Sequence, residues 1–157
     1  MQPYFTQITQ AGYDKIAGEI DALKADRPAK IAALSAARAL GDLSENAEYS
    51  AAKRDLRHLE SRLRFLDKQL RYAQVVTPTD DATIEIGKRV VLAFLDENDT
   101  DTFDLVGTPE ADVTTNKISL ASPIGAAILS HSVGDTVSVN APNGRYQVKI
   151  ITVSLTP

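Results

Sequence analysis

The stretch YSAAKRDLRHLESRLRFLDKQLRYA, which runs from Tyr49 to Ala73, decides the architecture of the first half of this 157-residue chain. Its apolar or small residues recur in steps of three and four, the a/d spacing of a coiled coil, and no alternating strand pattern competes with them. These positions are Ala52, Leu56, Leu59, Leu63, Leu66, Leu70 and Ala73. The stretch therefore predicts a long helix with one apolar seam.

A second seam lies N-terminal to this helix. Its positions are Tyr13, Ile16, Ile20 and Leu23, followed after a slip at Arg27 by Ile31 and Leu34. The slip contains Pro28, which removes a helical hydrogen bond and clashes with the preceding turn. We expect a first helix that is bent near Pro28.

The two seams match when they are paired symmetrically about Leu43. The facing pairs are then Tyr13 with Ala73, Ile16 with Leu70, Ile20 with Leu66, Leu23 with Leu63, and Leu34 with Ala52. Gly41 is suited to end the first helix and Asp42 or Ser44 to cap the second, with Glu45 or Glu48 favoured in its first turn. The sequence predicts an antiparallel coiled-coil hairpin. At about 1.5 Å per residue, its arm is roughly 45 Å long.

Length and composition favour two domains. We expect a coiled-coil hairpin over residues 1–76, a turn-rich linker over 77–83 and a compact domain over 84–157. The chain has no cysteine, its first residues MQPYFTQITQ show no export signal, and no segment has the roughly 18 apolar residues that span a bilayer. We therefore expect a soluble, cytoplasmic protein without membrane contact.

The net charge of −4 hides an asymmetry between the two halves. Up to Val76, twelve Lys and Arg oppose ten Asp and Glu; from Thr77 onward, five oppose eleven. The basic excess lies on the second helix, where Arg57, Arg64 and Arg71 recur every seven residues and Lys53 extends the stripe toward the turn. A solvated coiled-coil face and a phosphate-binding face both fit this stripe, and the first is the commoner role.

The second half has five strand-like runs and one short helix, which predicts an α+β chain with a small antiparallel sheet. The runs are 84–94, 102–106, 117–120, 136–140 and 146–153. Turns are expected over Asp96 to Asp101 and at Pro142-Asn143-Gly144. Ser122 and Pro123 are suited to cap and start a helix that reaches Leu129.

Little chemistry is visible in this half. It has no phosphate-loop, dinucleotide or HExxH motif, and His58 and His131 are too isolated in sequence to indicate a metal pair. The acidic run from Asp96 to Asp104 lacks the glycine and terminal glutamate of an EF-hand, so solubility is the better explanation.

Asp42 and Glu45 are the candidate functional carboxylates. Exposed acids at a helix turn are usually caps. However, Mg²⁺ is usually held by one or two carboxylates together with waters and phosphate, so two acids at the end of an arm can complete a site that a partner supplies. The sequence indicates an arm that donates ligands to a partner's active site.

Several segments resemble the bacterial transcript-cleavage factors of the GreA/GreB type, and the chain looks closer to GreA. They are ARALGDLSENAEYSAAK at the turn, AQVV at the end of the return helix, the strand opening IGKRVVL, and SPIGAAILSHSVGD with its following PNG turn. The resemblance covers nearly the whole chain, and its tip run is highly specific. It departs from the family at Ser130-His131, where Gly-Lys is frequent.

The resemblance implies a factor that binds RNA polymerase, inserts its coiled coil into the secondary channel and stimulates the polymerase's own cleavage of backtracked nascent RNA. Asp42 would be the ligand of a Mg²⁺ ion shared with the polymerase, and Glu45 would orient the attacking water and complete the metal site. Ser44, Asn46 and Tyr49 would shape the tip. DNA binding is implied only by the resemblance. The protein itself would be an accessory factor, not an enzyme, and a monomer.

The remaining residues follow from the same resemblance. Lys53, Arg54 and Arg57 lie near the tip and are expected to contact RNA phosphates. The second domain would be FKBP-like, with Ser122, Pro123 and Ile124 docking on a coiled coil at the rim of the largest polymerase subunit. Three alternatives stay open: a Gre-like inhibitor that binds the channel without promoting cleavage, a zinc-containing channel regulator, which the absence of cysteine disfavours, and a simple adaptor arm.

Overall fold

The structure is a computed structural model that describes residues 5–41 and 46–157. These residues form two compact units. One is Asp14–Tyr72, and the other combines the chain up to Tyr13 with Ala73–Pro157. We refer to them as the hairpin unit and the sheet unit.

The hairpin unit consists of two long helices, α1 (Gln10–Arg38) and α2 (Ala47–Arg71). The first turn of α1 belongs to the sheet unit. The predicted helical hairpin is confirmed, and its seam is recognisable because Ile20, Leu59 and Leu66 are buried. Ile31, just after the predicted slip of the seam, is instead 43% exposed.

Helix α1 continues through Pro28. A proline inside a helix removes one hydrogen bond, and packing against a partner helix can offset that loss. The proposed bend at this position stays a prediction.

Ion pairs join the two helices away from their connection. The Arg62 guanidinium donates to both carboxylate oxygens of Glu19, at 2.9 and 3.3 Å. Arg27 Nη2 lies 3.2 Å from Glu60 Oε1. All four side chains are between about one-third and one-half exposed, so these pairs contribute little stability but agree with an antiparallel arrangement.

The sheet unit contains two sheets. A short parallel pair joins β1 (Thr6–Ile8) to β2 (Ala73–Val75). The main sheet has the order β5-β4-β3-β7-β6, formed by β3 (Lys88–Phe94), β4 (Asp99–Val106), β5 (Lys117–Ser119), β6 (Thr136–Ala141) and β7 (Gly144–Leu155).

The expectation of an antiparallel sheet was wrong in one respect. β4 and β5 are parallel, which makes the main sheet mixed. The chain between them contains two short 3₁₀ turns, Thr108–Glu110 and Val113–Thr115, which bring it back to the start of a parallel neighbour. The other main-sheet pairs are antiparallel, including the hairpin whose strands end at Ala141 and begin at Gly144.

The core of the sheet unit lies between the sheet and helix α3 (Pro123–Ile128). Its fully buried members alternate along β3, β6 and β7, as expected for strands with one covered face. They are Val90, Leu92, Leu105, Ile128, Val139, Val148 and Ile150, each 0% exposed. The FKBP-like classification of this domain stays a prediction.

One charged side chain is also fully buried. Lys88 is 0% exposed, and its Nζ donates to Asp81 O at 2.8 Å, Asp81 Oδ1 at 3.0 Å and Thr83 O at 3.0 Å. An ammonium group has three donors, so this arrangement satisfies it completely. The hydrogen bond from Lys88, followed by the backbone N–H of Thr83, lowers the pKa of Asp81.

Candidate functional site at the end of the hairpin

The sequence places the candidate site in the connection between α1 and α2. Asp42, Ser44 and Glu45 lie outside the described residues, so their proposed roles stay predictions. The structure describes both flanks of this connection, through Gly41 on one side and from Asn46 on the other. Gly41 has a φ of +116°, a conformation that glycine adopts readily after a helix end.

Asn46 links the ends of the two helices. Its Oδ1 accepts a hydrogen bond from the backbone N–H of Tyr49 at 3.1 Å, which caps the first turn of α2. Its Nδ2 donates to the backbone carbonyl of Ala37, in the last turn of α1, at 2.9 Å. The cap is therefore Asn46, rather than Asp42 or Ser44 as the sequence suggested.

Asn46 suits this role for a chemical reason. An asparagine side chain has an acceptor and a donor on one rigid amide, whereas aspartate and serine lack the amide donor. Ala37, which provides the carbonyl, is itself buried, in agreement with a contact between the two helix ends. The Asn46 side chain thus joins the end of α1 to the start of α2. These are the two helix ends that the segment with Asp42 and Glu45 connects in the sequence.

Two cations lie near the ring of Tyr49, next to this link. The guanidinium carbon of Arg38 is 6.0 Å from the centre of its ring, and Lys53 Nζ is 5.8 Å from it. Both distances are within the range of a cation–π contact. Arg38 belongs to α1 and Lys53 to α2, so the ring joins positive charge from both helices.

A basic face extends along α2 from this point. Ser50, Lys53, Arg54, Arg57 and His58 line a shallow depression of about 410 Å³. Their spacing is that of one helix face, and all five are exposed. Within the described part of the chain, Lys53, Arg54 and Arg57 form no ion pair.

The second set of predicted residues lies in the sheet unit. Ser122 caps α3: its Oγ accepts from Gly125 N at 3.0 Å and donates to Ser119 O at 2.6 Å. Pro123 occupies the first helical turn and is exposed, and Ile124 packs in part against the core. The helix-starting role expected for Ser122 and Pro123 is present, and the docking role stays a prediction.

Gly125 explains why this segment is so compact. A Cβ at this position would lie 2.1 Å from the carbonyl oxygen of Ser119, so a larger residue would force the turn apart. The glycine therefore keeps Ser122 and Pro123 in a tight turn against β5.

The departure at Ser130-His131 also has a structural consequence. Ser130 has a φ of +68°, a left-handed conformation that costs a non-glycine residue energy. His131 Nδ1 lies 3.2 Å from Asp135 Oδ2, and the pKa of Asp135 is lowered by the Ser132 backbone N–H and then by His131.

The sequence interpretation missed two residues, Arg38 near Tyr49 and His58 on the basic face of α2. Arg38 was not noticed because α1 carries mixed charges, and only the structure brings it to Tyr49. His58 was expected to be an isolated surface residue, and it is exposed, but it lines the basic depression. Its spacing from Arg54 and Arg57 on one helix face was the signal available beforehand.

The described residues show neither a metal-binding cluster nor a membrane-spanning helix. In residues 5–41 and 46–157, no group of three or more His, Cys, Asp or Glu side chains is arranged to hold a metal ion. Over the same residues, no helix is both long and apolar enough to cross a membrane.

Two family models match the chain and together cover nearly all of it. The model described as "Transcription elongation factor, N-terminal" matches residues 6–75. The model described as "Transcription elongation factor, GreA/GreB, C-term" matches residues 79–155.

Individual relatives agree with these models. Transcription elongation factor GreA 1 of Lactiplantibacillus plantarum is 58% identical over 153 residues, with 98% of each chain covered. GreA of Thermodesulfovibrio yellowstonii is 40% identical over 150 residues, which are 94% of this chain and 95% of the relative. The solved structure of GreA factor homolog 1 from Thermus thermophilus is 26% identical, covers 95% of this chain and 98% of its own, and has a TM-score of 0.45.

Proposed function

This chain belongs to the GreA/GreB family of transcription elongation factors, and we propose from that membership that it stimulates transcript cleavage by bacterial RNA polymerase. The hairpin enters the secondary channel of the polymerase and brings its tip to a backtracked RNA 3′ end. The polymerase performs the hydrolysis, and this protein completes the reaction centre as an accessory factor.

The observation that carries the proposal is the pair of carboxylates between α1 and α2. A cap was the competing role for an acid at this turn. Because Asn46 caps α2, that helix start does not need Asp42. We therefore propose that Asp42 and Glu45 act on a partner.

The donor chemistry fits a shared Mg²⁺ ion. Two carboxylates are the usual protein contribution to a magnesium site that also includes waters and a phosphate. When bound, the ion would supply charge neutralisation at the phosphate and a more acidic water. Asp42 is proposed as its ligand. Glu45 is proposed to complete the site and to hold the attacking water by hydrogen bonding.

Asn46 supports this role through the helix ends. It holds the carbonyl of Ala37 and the N–H of Tyr49 on one amide group, and a rigid scaffold lowers the entropic cost of orienting a reactive group. We therefore assign Asn46, with Ser44 and Tyr49, to positioning the tip.

The basic face of α2 is proposed to contact the phosphates of the extruded RNA. Lys53, Arg54 and Arg57 are exposed and carry no ion pair within the described residues. Phosphate contacts of this kind add affinity without sequence preference, which suits a factor that acts on many transcripts.

The sheet unit is proposed to dock on the polymerase rim through Ser122, Pro123 and Ile124. Pro123 presents an exposed ring on a turn that Ser122 and Gly125 hold rigid. We expect one monomer to bind one polymerase.

The test uses a stalled, backtracked polymerase complex that carries 3′-labelled RNA. We expect the wild type to release a short 3′ fragment. Asp42→Asn and Glu45→Gln should each slow this release by roughly two orders of magnitude, since each removes several kcal/mol of transition-state stabilisation. Asp55→Asn, which removes an exposed acid further along α2, is the matched control and should cleave normally.

Two outcomes count against the proposal. If the wild type binds the complex but releases no fragment, the chain is a channel-binding inhibitor. If Asp42→Asn and Glu45→Gln cleave at the wild-type rate, the tip acids have no role in the reaction. Binding should be measured separately by competition, so that loss of docking is not mistaken for loss of cleavage.

A further inference from the structure

A pocket with an aromatic wall and an acidic rim lies in the sheet unit, away in sequence from both predicted sites. It has a volume of about 360 Å³, and its lining includes Phe94, Asp96, Glu97, Asp99, Asp101 and Tyr146. We call it the aromatic-acidic pocket. Nothing in the proposed function uses it.

Strand register explains why acids and aromatics meet here. Phe94 is paired with Asp99, Leu92 with Asp101 and Val90 with Phe103. Directly paired residues share one face of a sheet, and Leu92 and Val90 are fully buried. Asp99 and Asp101 therefore lie on the face that carries the core, at the end where that face becomes exposed.

Phe94 and Tyr146, the two aromatic residues that line the pocket, belong to a cluster of three rings with Phe103. The ring centroids of Phe94 and Tyr146 are 6.0 Å apart and tilted by 31°, and those of Phe94 and Phe103 are 6.3 Å apart in an edge-to-face arrangement. These rings pack in part against the core. The wall is consequently rigid and still presents aromatic surface to the pocket.

The carboxylates of the pocket have no neutralising cation in contact among residues 5–41 and 46–157. Over the described residues, none of Asp96, Glu97, Asp99 and Asp101 forms an ion pair with a lysine or arginine. The hydrogen bonds that do reach them come from uncharged groups: Asp99 accepts from Thr100 N, and Asp101 from Thr102 N and Asn116 Nδ2. Burial, and then the charge of Glu97, raises the pKa of Tyr146, which agrees with a negative potential at the wall.

These features favour one class of occupant. Aromatic faces attract cations, and a planar guanidinium both stacks on a ring and donates to carboxylates from its edge. The acids are distributed around the rim, in agreement with the absence of a metal-binding group among the described side chains. We propose that the aromatic-acidic pocket binds an arginine side chain that a partner protein presents.

Charge complementarity favours a protein partner over a nucleic acid, because four carboxylates repel phosphates. Leu95, 47% exposed and directly after Phe94, adds apolar surface for the backbone that would carry the arginine. This inference does not depend on transcript cleavage, so the two can fail separately.

The test is an NMR titration of the full-length, ¹⁵N-labelled protein with the peptide acetyl-Gly-Arg-Gly-amide. Amide signals of residues 94–101 and 146–147 should shift. The citrulline peptide, which has the same shape without the charge, should leave them unchanged. Signals that shift equally with citrulline, or a response elsewhere in the protein, would overturn the proposal.

Two variants test the wall and the rim separately. Tyr146→Leu should weaken binding of the arginine peptide about fivefold, since an exposed cation–π contact is worth about 1 kcal/mol. Asp96→Asn with Glu97→Gln should weaken it by a similar factor. The matched control, Asp55→Asn with Asp67→Asn, removes the same charge from α2 and should bind within twofold of the wild type.

The same variants can also contradict the proposal. Dispersed amide spectra establish that Tyr146→Leu is folded, and the rim variant serves as a second test because its side chains are exposed. If neither variant changes the affinity, the pocket is not the binding site. Sedimentation velocity provides a further measurement, and self-association that both variants abolish would identify a second copy of this chain as the occupant instead.

Discussion

The buried charges of the sheet unit and the exposed charges near the tip of the hairpin unit have opposite roles. In the sheet unit, Lys88 is fully buried with three acceptors, and Asp104, 8% exposed, accepts two hydrogen bonds from Arg89 at 2.8 and 3.2 Å. In the hairpin unit, none of the described charged residues is buried, and those near the tip have no ion pair within the described residues. The first set stabilises a fold, and the second is available to a partner.

This difference predicts which substitutions should change stability and which should change only binding. Removing a buried, fully bonded charge leaves acceptors without donors and should destabilise the domain. Removing an exposed charge without a partner should leave stability unchanged and alter only binding.

Lys88 should give the largest effect. Lys88→Ala leaves a cavity and removes the donor from two backbone carbonyls, and we expect it to lower the free energy of unfolding by about 3 kcal/mol. Lys88→Met keeps most of the side-chain volume and should cost less. Urea denaturation measures both, and a loss below about 1 kcal/mol for alanine would contradict the assigned role.

The same site predicts a pH dependence. The pKa of Asp81 is lowered in the folded protein, chiefly by the hydrogen bond from Lys88. Its contribution is therefore present above its ordinary pKa of 3.8 and is lost as the pH falls through the lower, folded value. The stability difference between the wild type and Lys88→Met should narrow on acidification from pH 5 to below pH 3. A constant difference over that range would count against the linkage.

The sequence predicted most elements because their patterns are local. The seam of α2, the alternation of β3 and β7, and the cap and proline of α3 are each visible within a few residues. The parallel pair of β1 and β2 was not predicted. Each strand has only three residues, and its partner lies far away in the sequence. No local pattern indicates such a pair.

The site was predictable in its residue types but not in its geometry. GDLSENAEY gave the acids and the turn, yet Asp, Ser and Asn are all good caps, so sequence alone could not choose among them. Asn46 differs from the other candidate caps in having a side-chain amide, which also donates a hydrogen bond across the hairpin to the carbonyl of Ala37. Lys88 was likewise invisible, because a lysine in a strand is ordinarily exposed.

Asn46 should give the next largest change in stability. Like Lys88 in the sheet unit, its side chain forms hydrogen bonds to backbone groups, but it lies in the hairpin unit. Asn46→Ala removes a helix cap and a cross-helix hydrogen bond, so we expect a loss of about 1–2 kcal/mol, measured by the helical circular dichroism signal during denaturation. Asn46→Asp keeps the cap acceptor and loses only the donor to Ala37. It should cost less.

Cleavage by these two variants separates positioning from stability. If Asn46 positions the tip acids, Asn46→Asp should slow cleavage while polymerase binding stays close to that of the wild type. Normal cleavage by Asn46→Asp would assign Asn46 to helix capping alone.

Ser130 should give a smaller change of opposite sign. Its φ of +68° is strained for serine, so Ser130→Gly relieves that strain and loses some of the gain to the greater freedom of the unfolded chain. We expect a gain of about 0.5 kcal/mol. Ser132→Gly is the matched control: Ser132 is not among the described residues with positive φ, and its replacement should destabilise. Equal effects at both positions would contradict the explanation.

Substitutions on the basic face of α2 should change stability least. They should therefore differ most clearly from substitutions at Lys88 in the sheet unit. Replacing Lys53, Arg54 and Arg57 together by alanine breaks no ion pair in the described part of the chain, so the unfolding free energy should change by no more than about 0.5 kcal/mol. Cleavage of RNA from complexes that are backtracked by many nucleotides should nevertheless slow more than polymerase binding weakens. The salt dependence of cleavage should also decrease, because a protein that makes fewer phosphate contacts releases fewer counterions from the RNA.

The matched control for this face removes the same charge from the same helix. Arg64, Lys68 and Arg71, replaced together by alanine, lie about two to four turns further from the tip than Arg57 and are also exposed. If position rather than net charge matters, this variant should cleave long backtracked RNA at close to the wild-type rate. Equal losses for the two triple variants would show that general positive charge attracts the complex. The charges near the tip would then have no separate role, and the contrast between the two units would reduce to burial alone.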